Sequence, residues 1–249
     1  MGLEYLTAGV ERAVSLLLSL DPYVMSVAEV QLIVSVTAVV LAAFTAVPLA
    51  VVIAFKEFPG KRLLLGFINA GMGLPPVVVG LVVFVFFYRL GPLGFVELLY
   101  TKKAMILAQY LLATPIILGV SIAVIKGVPR SIKELAFTLG GTRKDVALAV
   151  LREARYGIAT AILGGAGRVF AEVGAILTVG GNIAYALETP EGIVQISKTR
   201  TLSTAIPIET SQGDIAAAIS FGIILLGITL LLNLAVSYLQ SRAEKGRAQ

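Results

Sequence analysis

Five long apolar runs dominate the chain, at 32–55, 63–88, 104–125, 157–179 and 216–239, separated by short segments that collect the charges, glycines and prolines. A helix needs about 20 mainly apolar residues to cross a hydrocarbon layer roughly 30 Å thick, so each run is predicted to be a membrane-spanning helix. The earlier run 10–20 is shorter and carries Glu11 and Arg12. It reads as a helix lying in the membrane interface, with a sixth span as the alternative. In the first span Ala38, Ala42, Ala46 and Ala50 repeat every fourth residue and predict a helix-packing seam. Pro48 and Pro115 are expected to bend their spans.

Composition agrees with lipid as the solvent. The 249 residues are 57% hydrophobic and 14% charged, with a mean hydropathy of +0.93, leaving too little charge to cover a soluble surface. Cysteine and histidine are absent, which excludes disulfides, thiolate metal sites and histidine ligands. The net charge of +5 is informative only through its distribution. With five alternating spans, thirteen Lys and Arg fall on one side, in 56–62, 126–156 and the C-terminal tail, and six on the other, with Arg168 inside the fourth span. The richer side is expected to be cytoplasmic, which puts the N-terminus outside and the C-terminus inside. The organisation that follows is an external tail with its interfacial helix at 1–31, a transmembrane domain at 32–240 with loop 126–156 inside and loop 180–215 outside, and a cytoplasmic tail at 241–249. Arg242, Lys245 and Arg247 in that tail read as a stop-transfer flank. A cleavable signal is not expected, because residues 1–9 hold no Lys or Arg and the next apolar run ends at Asp21-Pro22.

The cytoplasmic segment 127–145 predicts two helices joined by a tight turn. Ser131 with Glu134, and Thr142 with Asp145, have capping-box spacing, while Gly140 and Gly141 suit a left-handed helix end. Ile132, Leu135, Ala136 and Leu139 would share one apolar face on the first helix, with no span to cover it. Glu134-Leu135-Ala136 followed by Gly140 resembles the cytoplasmic signature of the permease subunits of ATP-binding-cassette importers, although Arg152-Glu153 stands where that signature ends in Leu-Pro. The resemblance implies a coupling helix that docks on a separate ATPase subunit. The other reading of the same residues is an amphipathic helix at the headgroup level. No Gly-x-x-x-x-Gly-Lys-Ser/Thr loop occurs, so ATP hydrolysis by that mechanism must belong to another chain.

Two spans carry features expensive in lipid. In the second, Pro75 and Pro76 interrupt the helical ladder within Gly71-Met-Gly-Leu-Pro-Pro-Val-Val-Val-Gly-Leu81, a break that either lines a pathway or is a packing kink. In the fourth, Arg168 and Glu172 stand one helical turn apart beside a small-residue row of Gly167, Ala171 and Ala175. Each charge alone would cost roughly 2.5–3.5 kcal/mol on insertion, so the two are expected to pair, either as part of a gate or as a structural ion pair. The external loop then offers Gly180-Gly-Asn182-Ile, Thr199-Arg200-Thr201-Leu-Ser203-Thr204-Ala-Ile and Glu209-Thr-Ser-Gln-Gly-Asp214 in that order. These stretches resemble the molybdate and tungstate permeases, above all those for tungstate, with Ala184–Lys198 longer than that pattern leads one to expect. Arg200 and its neighbouring hydroxyls suit a tetrahedral oxyanion or the binding protein that delivers it, or else make ordinary loop contacts.

The fold expected is all-α and integral to the membrane, with about five transmembrane helices, as in the type I importer permeases. What the resemblance implies beyond this is a homodimer around one pathway, two ATPase subunits that carry ATP and magnesium, no cofactor on this chain, an extracytoplasmic oxyanion-binding protein, and no nucleic acid. Residence in the cytoplasmic membrane and oxyanion import by alternating access complete it. The alternative from the residues alone is an ion-coupled secondary transporter, but Pro75-Pro76 has no counterpart in a second half. An intramembrane enzyme is disfavoured because all three aspartates, Asp21, Asp145 and Asp214, lie outside the spans. A channel would need a filter sequence or acidic rings, which the chain does not show.

Overall fold

Helix α2, Pro22–Phe55, begins where Asp21 can cap it: one carboxylate oxygen accepts the N–H of Tyr23 at 3.0 Å and of Val24 at 3.1 Å, and Pro22 occupies the first turn where no donor is needed. Its 34 residues measure about 51 Å at 1.5 Å per residue. That exceeds a bilayer core by several turns, and its N-terminal part carries the polar Tyr23, Glu29 and Gln31. Ala38, Ala42, Ala46 and Ala50 are each 0% exposed, the packing seam their spacing predicts. The coordinates are a computed structural model, which describes residues 2–189 and 192–247, with side chains described for 7, 10–188 and 193–241. The side chains of Arg242, Lys245 and Arg247 lie outside the described residues.

The remaining elements are α1 (Gly2–Leu18), α3 (Lys61–Met72), α4 (Pro76–Phe87), a short 3-10 turn (Gly94–Val96), α5 (Lys102–Lys126), α6 (Arg130–Thr138), α7 (Arg143–Phe170), α8 (Gly174–Gly180), strands β1 (Ala184–Thr189) and β2 (Gly192–Ser197), α9 (Leu202–Gln212) and α10 (Ile215–Arg247). Among the described residues three helices are long and apolar enough to span, α2, α5 and α10. The pairs α3/α4 and α7/α8, bent by 101° and 61° at their breaks, raise the number to five if each is one span. Helix α1 is not among them; Val10, Val14 and Leu18 are exposed on it and Ala13 is buried.

The chain divides into two compact units. The first comprises Met1–Ala38, Pro75–Tyr110 and Val169–Leu231. Here the stretch 180–215, expected as a loop, is folded. An antiparallel hairpin pairs β1 with β2 in a register that sets Tyr185 opposite Ile196 and Leu187 opposite Val194, and α9 follows. The start of α2, α9 and the first turns of α10 bury a common core of Val24, Val27, Leu202, Ala205, Ala217 and Phe221. Ser26 Oγ accepts the N–H of Ser197 at 3.0 Å and ties the hairpin to α2. The hairpin is the one departure from an all-helical architecture among the described residues. Elsewhere in this unit α4 lies against α8 so closely that a Cβ on Gly80 would sit 2.8 Å from Ala175 Cα.

The second unit comprises Val39–Leu74, Leu111–Arg168 and Leu232–Gln249. In it α3 runs antiparallel to α5, with Ile68 facing Gly119 and Gly71 facing Pro115. Helix α7 is also antiparallel to α5, because Gly157 faces Val124 and Gly165 faces Ile117. The small-residue seam of α7 is therefore Gly157, the buried Ala161 and Gly165. The row expected from Gly167, Ala171 and Ala175 does not form one helical face, since α7 ends at Phe170 and a new helix starts at Gly174. Gly167 meets no neighbour, and Ala175 is buried against Gly80.

Candidate functional site

In the first unit three separated segments meet at the interruption between α7 and α8. Glu172 stands in that break, 6% exposed, and its Oε1 accepts the N–H of Ala175 at 3.0 Å, which caps α8. Pro75 and Pro76 begin α4, with Pro76 in the first turn of the new helix; the next residue, Val77, packs on Gly174, the first residue of α8. From the third segment Ser203 Oγ donates to the backbone oxygen of Glu172 at 2.7 Å. The starts of α4, α8 and α9 thus surround one buried carboxylate. The diproline does not kink a continuous span: it ends α3 at the Gly73 cap and starts another helix.

The start of α9 is a hydroxyl cluster. Thr201 is its N-cap, its N–H donates to Thr204 Oγ1 at 2.9 Å, and its own hydroxyl lies 3.1 Å from those of both Ser203 and Thr204. All three are almost fully buried, so in this conformation Thr201 and Thr204 have internal partners and offer no surface to a passing anion. Thr199, also buried, accepts from the N–H of Ile183 and donates to the carbonyl of Gly180, joining the end of α8 to this turn. Asn182, with a left-handed φ of 51°, sits between them. Its amide oxygen and nitrogen are both buried without a hydrogen-bond partner among the described residues.

Arg200 is also committed. Its guanidinium forms an ion pair with Glu209 at 3.1 Å and donates to the Tyr23 hydroxyl, which in turn donates to Glu209 Oε1 at 2.5 Å. Both charged side chains are nearly buried, at 13% and 7% exposure. The trio fastens the start of α2 to α9, so the geometry gives Arg200 a structural partner in place of the free anion contact that its loop position suggested. Removing one partner of a buried pair leaves the other uncompensated, at about 3 kcal/mol or more. Arg200→Gln is accordingly expected to lower thermal stability clearly in a detergent melting assay, and Arg200→Lys to recover little of it, since an ammonium cannot serve Tyr23 and Glu209 in one plane. A melting curve unchanged in Arg200→Gln would refute that role.

The expected pairing of Arg168 with Glu172 is absent. Because α7 stops at Phe170, the two residues no longer share a helix and the i, i+4 register that would join them is lost. Arg168 is exposed in the last turn of α7, where a cation complements the helix C-terminus. The partner Glu172 takes instead is the N–H of Ala175.

The second unit carries the other predicted site. Helix α6 has no buried residue, and Leu135, Phe137 and Leu139 are 61%, 55% and 79% exposed, with Glu134 beside them and Ala136 half-covered. Its ends are fixed. Gly140, at φ 78°, and Gly141 donate to the carbonyls of Phe137 and Ala136, a complete Schellman end. The expected box at Thr142 and Asp145 is present, with the Thr142 N–H donating to Asp145 at 2.8 Å. The expected box at Ser131 is not: Pro129 holds the N-cap position, α6 begins at Arg130, and Ser131 falls two positions too late to cap it. Sequence reasoning did not single out Phe137, which is exposed on the opposite side of α6 from Leu135, nor Tyr23, whose contact with Glu209 spans 186 residues.

Residues 46–245 match the family described as binding-protein-dependent transport system inner membrane component. The chain is similar to the "Probable anion ABC transporter permease protein" of Haloferax volcanii, 46% identical over 85% of this chain and 88% of that one. It is also similar to two tungstate uptake system permease proteins TupB: that of Peptoclostridium acidaminophilum, 35% identical over 96% and 99% of the two chains, and that of Campylobacter jejuni, 32% identical over 93% and 92%. With the family matched over most of its length and relatives at 32–46% identity covering most of both chains, the chain belongs to the inner-membrane permease components of binding-protein-dependent ABC importers.

Proposed function

We propose that this permease imports a tetrahedral oxyanion, tungstate or molybdate, as a homodimer that works with two ATPase subunits and receives its cargo from an extracytoplasmic binding protein. ATP and magnesium bind on the ATPase. The observation that carries the coupling half of this reading is α6: an apolar face left uncovered, on a helix closed at its C-terminal end by the Gly140–Gly141 turn. A partner that covers Leu135 and Leu139 can move α6 as a body, and through α5 and α7 the spans attached to it. The excess of Lys and Arg supports a cytoplasmic position for this helix and the C-terminus and an external one for the folded segment 180–215. The anion half is supported by the relatives named for anions and tungstate.

The gate in this reading is the break around Glu172, where Pro75, Pro76 and the start of α9 converge. A buried carboxylate repels an oxyanion, so it holds the closed state until the helices that surround it separate. Glu172→Gln keeps an oxygen for the Ala175 N–H and removes the charge. It is expected to melt like the parent and to change uptake about tenfold, whereas Glu172→Ala also destabilises. Full uptake by Glu172→Gln would leave the residue only its capping role.

The deciding experiment is reconstitution of the chain with its ATPase and binding protein in liposomes, followed by tungstate accumulation. Accumulation that needs ATP and all three components supports the proposal; accumulation driven by an ion gradient without ATP refutes it.

A further inference from the structure

Outside the gate and α6, a cavity of about 420 Å³ opens where the end of α2, the turn 56–60, the start of α3 and the end of α5 meet in the second unit. It is lined by Glu57, Phe58, Lys61, Arg62 and Lys126, among others. Lys61 is 6% exposed and is held by the carbonyl of Lys56 at 2.7 Å and by Glu57 at 2.8 Å. That hydrogen bond and charge hold the Glu57 carboxyl below its ordinary range, with Lys126 adding to the pull. Glu57 and Lys61 therefore neutralise each other. Arg62 and Lys126 form no ion pair among the described residues and leave the cavity with an excess of two positive charges.

The surface beside the cavity is apolar. Phe58, 38% exposed, and the half-buried Leu65 line the cavity itself, and Phe55, the last residue of α2, is 38% exposed. A water-facing anion site has no use for such a rim, whereas a phospholipid needs both parts: cations for its phosphate and apolar side chains for its acyl chains. We propose that this cavity binds the headgroup of an anionic phospholipid, with Arg62 and Lys126 on the phosphate and Phe58 and Leu65 against the start of the acyl chains. The site lies on the side that carries thirteen of the basic residues, where an anionic leaflet would supply it. It is independent of the transported anion and of the ATPase.

The test uses the full chain, purified in mild detergent and given equal amounts of phosphatidylglycerol and phosphatidylcholine, with retained lipid counted by native mass spectrometry. The parent is expected to keep phosphatidylglycerol in roughly tenfold preference, and Arg62→Gln/Lys126→Gln to lose that preference. Both residues are exposed, so the double variant should fold. Arg143→Gln/Lys144→Gln removes the same charge from the exposed start of α7 and should retain the preference. Equal retention of the two lipids by the parent, or equal loss in both double variants, overturns the proposal. So does complete displacement of phosphatidylglycerol by excess inorganic phosphate, which would show that the cavity recognises free phosphate and not a lipid.

Discussion

Leu135→Asp is expected to reduce ATP-driven uptake to background while the amount of protein in the membrane stays unchanged. Leu135 is 61% exposed, so the substitution removes little internal packing. The change in helix propensity is at most about 0.7 kcal/mol, and both ends of α6 remain held by the Gly140–Gly141 turn and the Pro129 start. Docked on a partner, however, a leucine contributes about 2 kcal/mol through burial, and a carboxylate in its place adds a desolvation cost of several more. The sum corresponds to a loss of at least a thousandfold in affinity. Recovery of the ATPase with the affinity-purified chain, measured beside uptake, is the check. Glu134→Arg should act in the same direction by reversing the charge at the edge of that face. Undiminished recovery of the ATPase from Leu135→Asp would mean that α6 is an interfacial helix and that coupling lies elsewhere.

Gly80→Val is expected to lower the melting temperature by about 6–12 °C. An added Cβ would lie 2.8 Å from Ala175 Cα, 3.1 Å from its carbonyl oxygen and 3.2 Å from Thr178 Cβ. Two of these neighbours are backbone and cannot swing aside, so α4 and α8 must move apart. Overpacking of this kind costs about 3 kcal/mol. Since α4 and α8 both start at the candidate gate, the same variant should lose transport in excess of its loss of folded protein. Gly222→Val, in α10, is the control: no atom lies within 4 Å of the position a Cβ would take, and little change is expected. Equal melting of the two variants would show that the α4–α8 contact is not tight.

The two halves of the candidate machinery differed in how far they could be read from the sequence. Helix α6 was almost fully legible, because its caps, its end and its face are local, within a dozen residues of one another. Only its start was misplaced, where Pro129 outcompeted Ser131 as the boundary. The gate was legible as separate pieces: Pro75-Pro76, Glu172 and the Thr201–Thr204 stretch each stood out as anomalous in or beside an apolar run. Their meeting was not legible, since Ser203 reaches Glu172 across 31 residues and Val77 reaches Gly174 across nearly a hundred. Arg168 and Glu172 show the limit most clearly. Their spacing predicts a pair only if the helix continues, and nothing in 168–174 announces that it ends at Phe170.

By itself the sequence determined the solvent, the approximate spans, the capped α6 and the absence of a phosphate-binding loop, because each depends on composition or on interactions between residues close along the chain. Tertiary structure alone decided that the segment 180–215 is a hairpin and a helix sharing a core with α2 and α10, that Arg200 belongs to Tyr23 and Glu209, and that Glu172 caps α8 among three helix starts. The physical reason is the same in each case. A buried polar group must find a partner wherever the fold places one, and the identity of that partner depends on which distant segments the packing of the spans brings within 3 Å.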